Sequence, residues 1–128
     1  MKYRIKIPIQ INGRLCSDSL SLLKKCGVEF TESKNMLFIK STNMPVDLLM
    51  VRDDDIPRLV SQKIADLGIV GENVVLEKQL SDKELEINQK LKLGFSKCRL
   101  SFAKPKGFEL DDINNLKIAT SYPEIVKE

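Results

Sequence analysis

Two hydrophobic periods take turns along this chain, and their order leaves few folds open. Arg4 to Ile9 alternates polar with branched apolar residues, the two-residue period of a strand. After the Asn12-Gly13 turn, Leu15, Leu20, Leu22 and Leu23 recur at helical spacing. Ser17 or Asp18 is placed to cap that helix, and Gly27 after Lys24-Lys25-Cys26 is placed to stop it. Met36 to Ile39 reads as a short strand, Asn43-Met44-Pro45 as a turn, and Val46 to Val51 as a buried strand. Ile56, Leu59, Val60 and Ile64 then sketch a helical face with Pro57 in its first turn. Ala65 to Val70 is strand-like again, and Gly71-Glu72-Asn73 opens a helix toward Gln79. Such alternation implies right-handed crossovers and a mainly parallel α/β sheet, whose ligands collect at the carboxyl ends of the strands. The loops at Gly13, at Arg52 to Asp55 and at Gly71 all fall on that edge. Further along, Ser81 to Gln89 reads as a charged helix or linker, and Lys97 to Ala103 and Leu116 to Thr120 as two more strands before a helix starts at Pro123.

Composition narrows the chemistry. With 128 residues, 42% hydrophobic and 30% charged, one globular core is expected and no apolar run approaches the ~20 residues of a membrane span. The basic start is not followed by the apolar block of a secretory signal, so the chain is expected in the cytoplasm. Three cysteines, far apart, form neither a disulfide framework nor a CxxC motif. The complete absence of His excludes Ser-His, Cys-His and His-metal chemistry from anything these residues do alone. A net charge of +3, scattered along the chain, suits a small anionic substrate and not a nucleic acid.

Three loops carry candidate chemistry. Gly13-Arg14 joins a strand to a helix, where free amides and a guanidinium can receive phosphate oxygens together; an ordinary glycine turn is the bland alternative, and the full GxxxxGK[ST] phosphate loop is absent. Arg52-Asp53-Asp54-Asp55 sets one cation and three carboxylates at a second junction, suited to diphosphate, ribose hydroxyls or hydrated Mg²⁺, or equally to capping the next helix. Gly71-Glu72-Asn73 offers close backbone approach and an amide, while Gly68 is explained as well by tight strand-helix packing.

Taken in order, Gly13-Arg14-Leu15, Val51-Arg52-Asp53-Asp54-Asp55-Ile56-Pro57, Ala65-Asp66-Leu67-Gly68-Ile69-Val70-Gly71-Glu72-Asn73, Cys98-Arg99-Leu100 and Ile118-Ala119-Thr120-Ser121-Tyr122-Pro123 resemble the ATP phosphoribosyltransferases of histidine biosynthesis. Asn43-Met44-Pro45-Val46-Asp47 and the Asp triplet look most like the long-form branch. The chain departs from the pattern at Ile11-Asn12, where a Lys often precedes the glycine, and at Asn35-Met36, where an Arg is common.

The resemblance implies a type II periplasmic-binding-protein-like α/β lobe over residues 1–93 and the beginning of a second lobe over 94–128, with substrates meeting between them. In that family N1 of ATP attacks the anomeric carbon of phosphoribosyl pyrophosphate (PRPP), inverting it and expelling pyrophosphate with substrate-associated Mg²⁺. Arg14 and Arg52 would hold phosphate or the departing pyrophosphate, and Gly13, Asp53, Gly71, Glu72 and Asn73 would line the substrate side. A homo-oligomer is expected of the full-length protein, and the 128 residues alone are expected to be inactive, because a later Gly/Thr-rich phosphate loop would be needed. The alternative from another class is a non-catalytic cytoplasmic lobe that binds a small ligand.

Overall fold

A computed structural model describes residues 3–31, 37–97, 99–107 and 117–127. The elements run β1 (Ile5–Gln10), α1 (Arg14–Lys25), β2 (Phe38–Lys40), β3 (Val46–Val51), a 3-10 turn (Asp53–Asp55), α2 (Ile56–Ser61), α3 (Glu72–Ser81) and α4 (Pro123–Lys127). The fold is α/β with a small mixed sheet in the order β1-β3-β2. β1 and β3 are parallel in the register Ile7↔Leu48 and Ile9↔Met50, and β2 returns antiparallel with Ile39 opposite Leu48. Met36, Cys98 and Leu116, which the sequence places in strands or motifs, lie outside the described residues.

Each face of the sheet has its own cover. Ile7, Ile9, Val46, Leu48 and Met50 form one core with Leu23 and Val28, joined by the half-buried Leu15 and Leu20 of α1. Fully burying one such side chain is worth about 1.5–3 kcal/mol. On the opposite face Pro8, Ile56 and Pro57 are fully buried, and Gly68 brings its backbone against Ile56 and Pro8. α1 ends as the glycine predicts: the N–H groups of Gly27 and Val28 donate to the carbonyls of Lys24 and Leu23, and Leu23 and Val28 meet in the core. The amide of Asn43 then ties the next turn to this stop, donating to Gly27 O at 2.7 Å and accepting from Glu29 N at 2.8 Å. Ser17 and Asp18 do not cap α1; Gly13 is the N-cap and both residues lie inside the helix.

Four other expectations need correction. Ala65 to Val70 is not a full strand: it meets β1 through one parallel bridge, Ile9↔Ile69. The cause is on β1. Ile5 and Ile11 donate their N–H groups toward β3, so the even residues face the other way, and there Pro8 has no N–H to give. Two carbonyls still serve that edge, Lys6 O accepting from Asp66 N and Pro8 O from Ile69 N. Ile64 lies beyond α2 and half exposed, because the helix stops at Ser61 with Lys63 at φ 62° and Ile64 N bonded back to Leu59 O. Residues 99–103 and 117–120 form no strand, since no described segment pairs with them, while 82–89 follow the linker alternative past a turn at Asp82.

The β1 edge also holds a titratable pair. Lys6 N donates to Asp66 Oδ2 at 2.8 Å and the Tyr3 hydroxyl donates to Asp66 Oδ1. The Lys6 amide, then the Tyr3 hydroxyl, hold the Asp66 carboxyl below its usual range, and the same carboxylate pushes the Tyr3 phenol up. A depressed carboxyl stabilises the fold above its unfolded pKa, about 3.9, and loses that contribution as pH falls through the folded value. Asp66→Asn should therefore unfold at a lower urea concentration than the unsubstituted chain at pH 7, with the gap closing below about pH 4. A gap that stays constant from pH 7 to about pH 2.5 would show that the charge of Asp66 is immaterial.

Candidate active site

Because β1 and β3 run parallel, the residues after each emerge on one edge of the sheet, and the backbone after Ile69 joins them there. In the first loop Gly13 adopts φ 90°, which a Cβ would strain, and Arg14 opens α1 exposed. The Arg14 guanidinium makes one long contact, Nη2 to Lys97 O at 3.4 Å.

The second loop carries the charged turn. Arg52 is extended, Asp53 to Asp55 coil into the 3-10 turn, and the buried Ile56 anchors the first residue of α2. Asp53 accepts the Asp54 N–H at 2.8 Å, so one of its oxygens serves the start of the turn, as a cap would. Asp54 Oδ1 is buried without a hydrogen-bond partner and lies 3.6 Å from Arg52 Nε. With Arg52 79% exposed, that ion pair is weak and leaves the guanidinium available.

Arg52, Asp53 and Asp54 form one wall of a cavity of about 210 Å³; Val74, Glu77 and Lys78 of α3 form another, and Ser121 and Tyr122 close it. Two cations, three carboxylates and two hydroxyls thus line the cavity beside Val74, a mixed set that can hold a polar ligand through both signs of charge. Gly13, Arg14, Gly71, Glu72 and Asn73 do not line it. Gly71 is the N-cap of α3, with its own neighbour Asn73 over it; Glu72 points to Lys92 at 3.9 Å in an exposed pair. Sequence reasoning misses Glu77, Lys78, Ser121 and Tyr122 as site residues. The one local sign is Glu77 three residues after Val74, which sets a carboxylate on the same side of the helix as a buried Val.

The family model for HisG, ATP phosphoribosyltransferase, matches residues 52–128, a span that begins at Arg52 and contains every residue of the cavity wall. The chain belongs to the ATP phosphoribosyltransferase family. Its structure is similar to that of a chain in the ATP phosphoribosyl transferase (HisG:HisZ) complex from Thermotoga maritima, with a TM-score of 0.50 and 32% identity over 59% of this chain and 35% of that one. The chain therefore spans about a third of that relative's length. Gly13 and Arg14 precede the span matched by the family model.

Among the described residues no three His, Cys, Asp or Glu side chains converge as a metal site. No described helix is long and apolar enough to cross a membrane.

Proposed function

We propose that this chain forms part of the catalytic region of an ATP phosphoribosyltransferase, in which N1 of ATP displaces pyrophosphate from PRPP in the first step of histidine biosynthesis. The observation that carries the reading is the cavity between Arg52-Asp53-Asp54 and Ser121-Tyr122, which lies wholly inside the matched span. Arg52 would take the diphosphate in two parallel hydrogen bonds, Lys78 would add a point charge, and the carboxylates would accept from ribose hydroxyls. There is no proton for a general base to remove when a ring nitrogen attacks, so positioning and charge stabilisation have to supply the rate. Arg14 and Gly13, and the Gly71-Glu72-Asn73 turn, are assigned to the flanks of the same edge.

Mg²⁺ would neutralise the diphosphate. Asp54 Oδ1, a buried oxygen without a hydrogen bond, is a donor of the right hardness, and one or two carboxylates beside substrate phosphates are the usual protein share of such a site. The reading also takes residues 1–93 as a type II periplasmic-binding-protein-like lobe and 94–128 as the opening of a second, in a cytoplasmic homo-oligomer.

The test is Arg52→Lys in the whole protein that carries this sequence, assayed for phosphoribosyl-ATP and pyrophosphate. Keeping the charge while losing the planar fork should lower turnover on the order of 10²-fold, the loss typical of removing one preorganised transition-state donor. Unchanged kinetics in Arg52→Lys and Arg14→Lys would remove both from the site. Binding of both substrates without any product in the unsubstituted protein would favour a non-catalytic lobe.

A further inference from the structure

Glu77 stands in the cavity wall and is 8% exposed, and its carboxylate is engaged by the backbone of α4. Its two oxygens accept the N–H of Glu124 at 2.8 and 2.9 Å, and Oε1 also accepts the N–H of Ile125 at 3.3 Å. These are the donors that the first turn of α4 leaves without an intrahelical partner, Pro123 having no N–H of its own. A five-residue helix does not persist by itself. α4 is capped from 47 residues away, by a charged acceptor on α3.

We infer that Glu77 is a positioning residue, a clasp that fixes the first turn of α4 and thereby holds Ser121 and Tyr122 against the Arg52 wall. Tyr122 directly precedes α4 and its carbonyl accepts the Val126 N–H, while its own N–H donates to Thr120 Oγ1 at 2.9 Å. The residue that closes the cavity is therefore built into the turn that Glu77 secures. Opening the clasp releases that wall without touching Arg52, Asp53 or Asp54. The catalytic consequence rests on the function proposed above; the clasp itself does not.

The experiment exploits a chain with no Trp and two tyrosines, Tyr3 and Tyr122. In a Tyr3→Phe background Tyr122 is the sole tyrosine, and acrylamide quenching of its fluorescence reports whether it is docked. Glu77→Gln keeps one acceptor oxygen but turns an amide NH₂ toward the Glu124 N–H. Glu124→Pro removes the main donor from the other side and leaves α3 untouched; it also biases Pro123 out of the helical region, so the clasp is read from this variant and Glu77→Gln together. Glu124→Ala keeps the N–H and is the control.

Both clasp variants should raise the undocked population of Tyr122 roughly tenfold, as expected for losing a charge-assisted hydrogen-bonded pair, and Glu124→Ala should match the background. In the whole protein the same two variants should raise KM by the factor by which the docked fraction falls, at most about tenfold, with kcat little changed, because substrate then has to select a rarer competent state. Unaltered quenching in both variants, or an equal rise in Glu124→Ala, overturns the clasp. Since quenching needs no substrate, that failure is separate from unchanged kinetics in Arg52→Lys, which would overturn the functional reading alone.

Discussion

Ile56→Ala should destabilise the fold by about 2–5 kcal/mol, Gly68→Ala by about 1–3 kcal/mol, and the two together by clearly less than their sum. Ile56 is 0% exposed, so truncating it opens a void between α2 and the sheet. A Cβ on Gly68 would sit 2.5 Å from Ile56 Cγ2, closer than packed atoms tolerate, with Val60 Cγ2 at 3.4 Å and Pro8 Cγ at 3.6 Å around it. The methyl that clashes in one variant fills the void left by the other, and a coupling of about 0.5–3 kcal/mol is expected for such neighbours. Urea midpoints of the two single variants and the double variant, at constant m, provide the measurement. Additive losses would mean that Gly68 is not held against Ile56. The same contact supports the site, because Ile56 directly follows the Asp53–Asp55 turn and fixes where the Arg52 loop begins.

Arg4→Met is expected to cost about 2–3 kcal/mol, short of the roughly 3–5 kcal/mol for breaking an ion pair wholly out of water. Asp47 lies in the middle of the sheet, 4% exposed, and its Oδ1 accepts from Arg4 Nε at 2.8 Å. The Arg4 guanidinium also donates to Val46 O at 3.2 Å and to Ser41 O at 3.5 Å, tying β1 to the β2–β3 hairpin. Removing it strands a carboxylate. Two features moderate the loss: the Arg4 side chain is 34% exposed, and Asp47 has Lys6 and Lys40 as its register partners on either side. Arg4→Met combined with Asp47→Leu should recover most of the stability, since replacing both charges removes the desolvation cost with the attraction. If the double variant is as unstable as Arg4→Met, the backbone hydrogen bonds of Arg4, and not the pairing, explain the effect.

Local patterns are legible in the chain before it folds, and distant contacts are not. β1, β3 and α1 follow from periodicity within a dozen residues, and the stop at Gly27 from a glycine where the left-handed turn needs one. The end of α2 escapes because Lys63 takes that conformation instead of a glycine, so Ile64 still looks periodic. Ala65 to Val70 fails for a reason about 60 residues upstream, the N–H that Pro8 lacks. The site divides the same way. Arg52 and Asp53 stand out as a charged run after a strand, and the structure puts both in the cavity wall. Glu77 and Tyr122 become neighbours only through the contact of α3 with α4, which no local pattern announces.

Pro8 has one more effect, on how copies of this protein behave toward each other. A sheet margin that shows an unbroken row of donors and acceptors is a template for a foreign strand, and crowded solutions exploit it. The outer margin of β1 lacks the Pro8 donor, has its Lys6 donor occupied by the Asp66 carboxylate, and is crossed by the Asp66 to Ile69 segment. The other margin, β2, is three residues long and ends in Lys40. Among the described residues neither margin of the sheet offers a long unpaired register to a second molecule, so Leu37 and Phe38 can lie open to water without templating fibre growth.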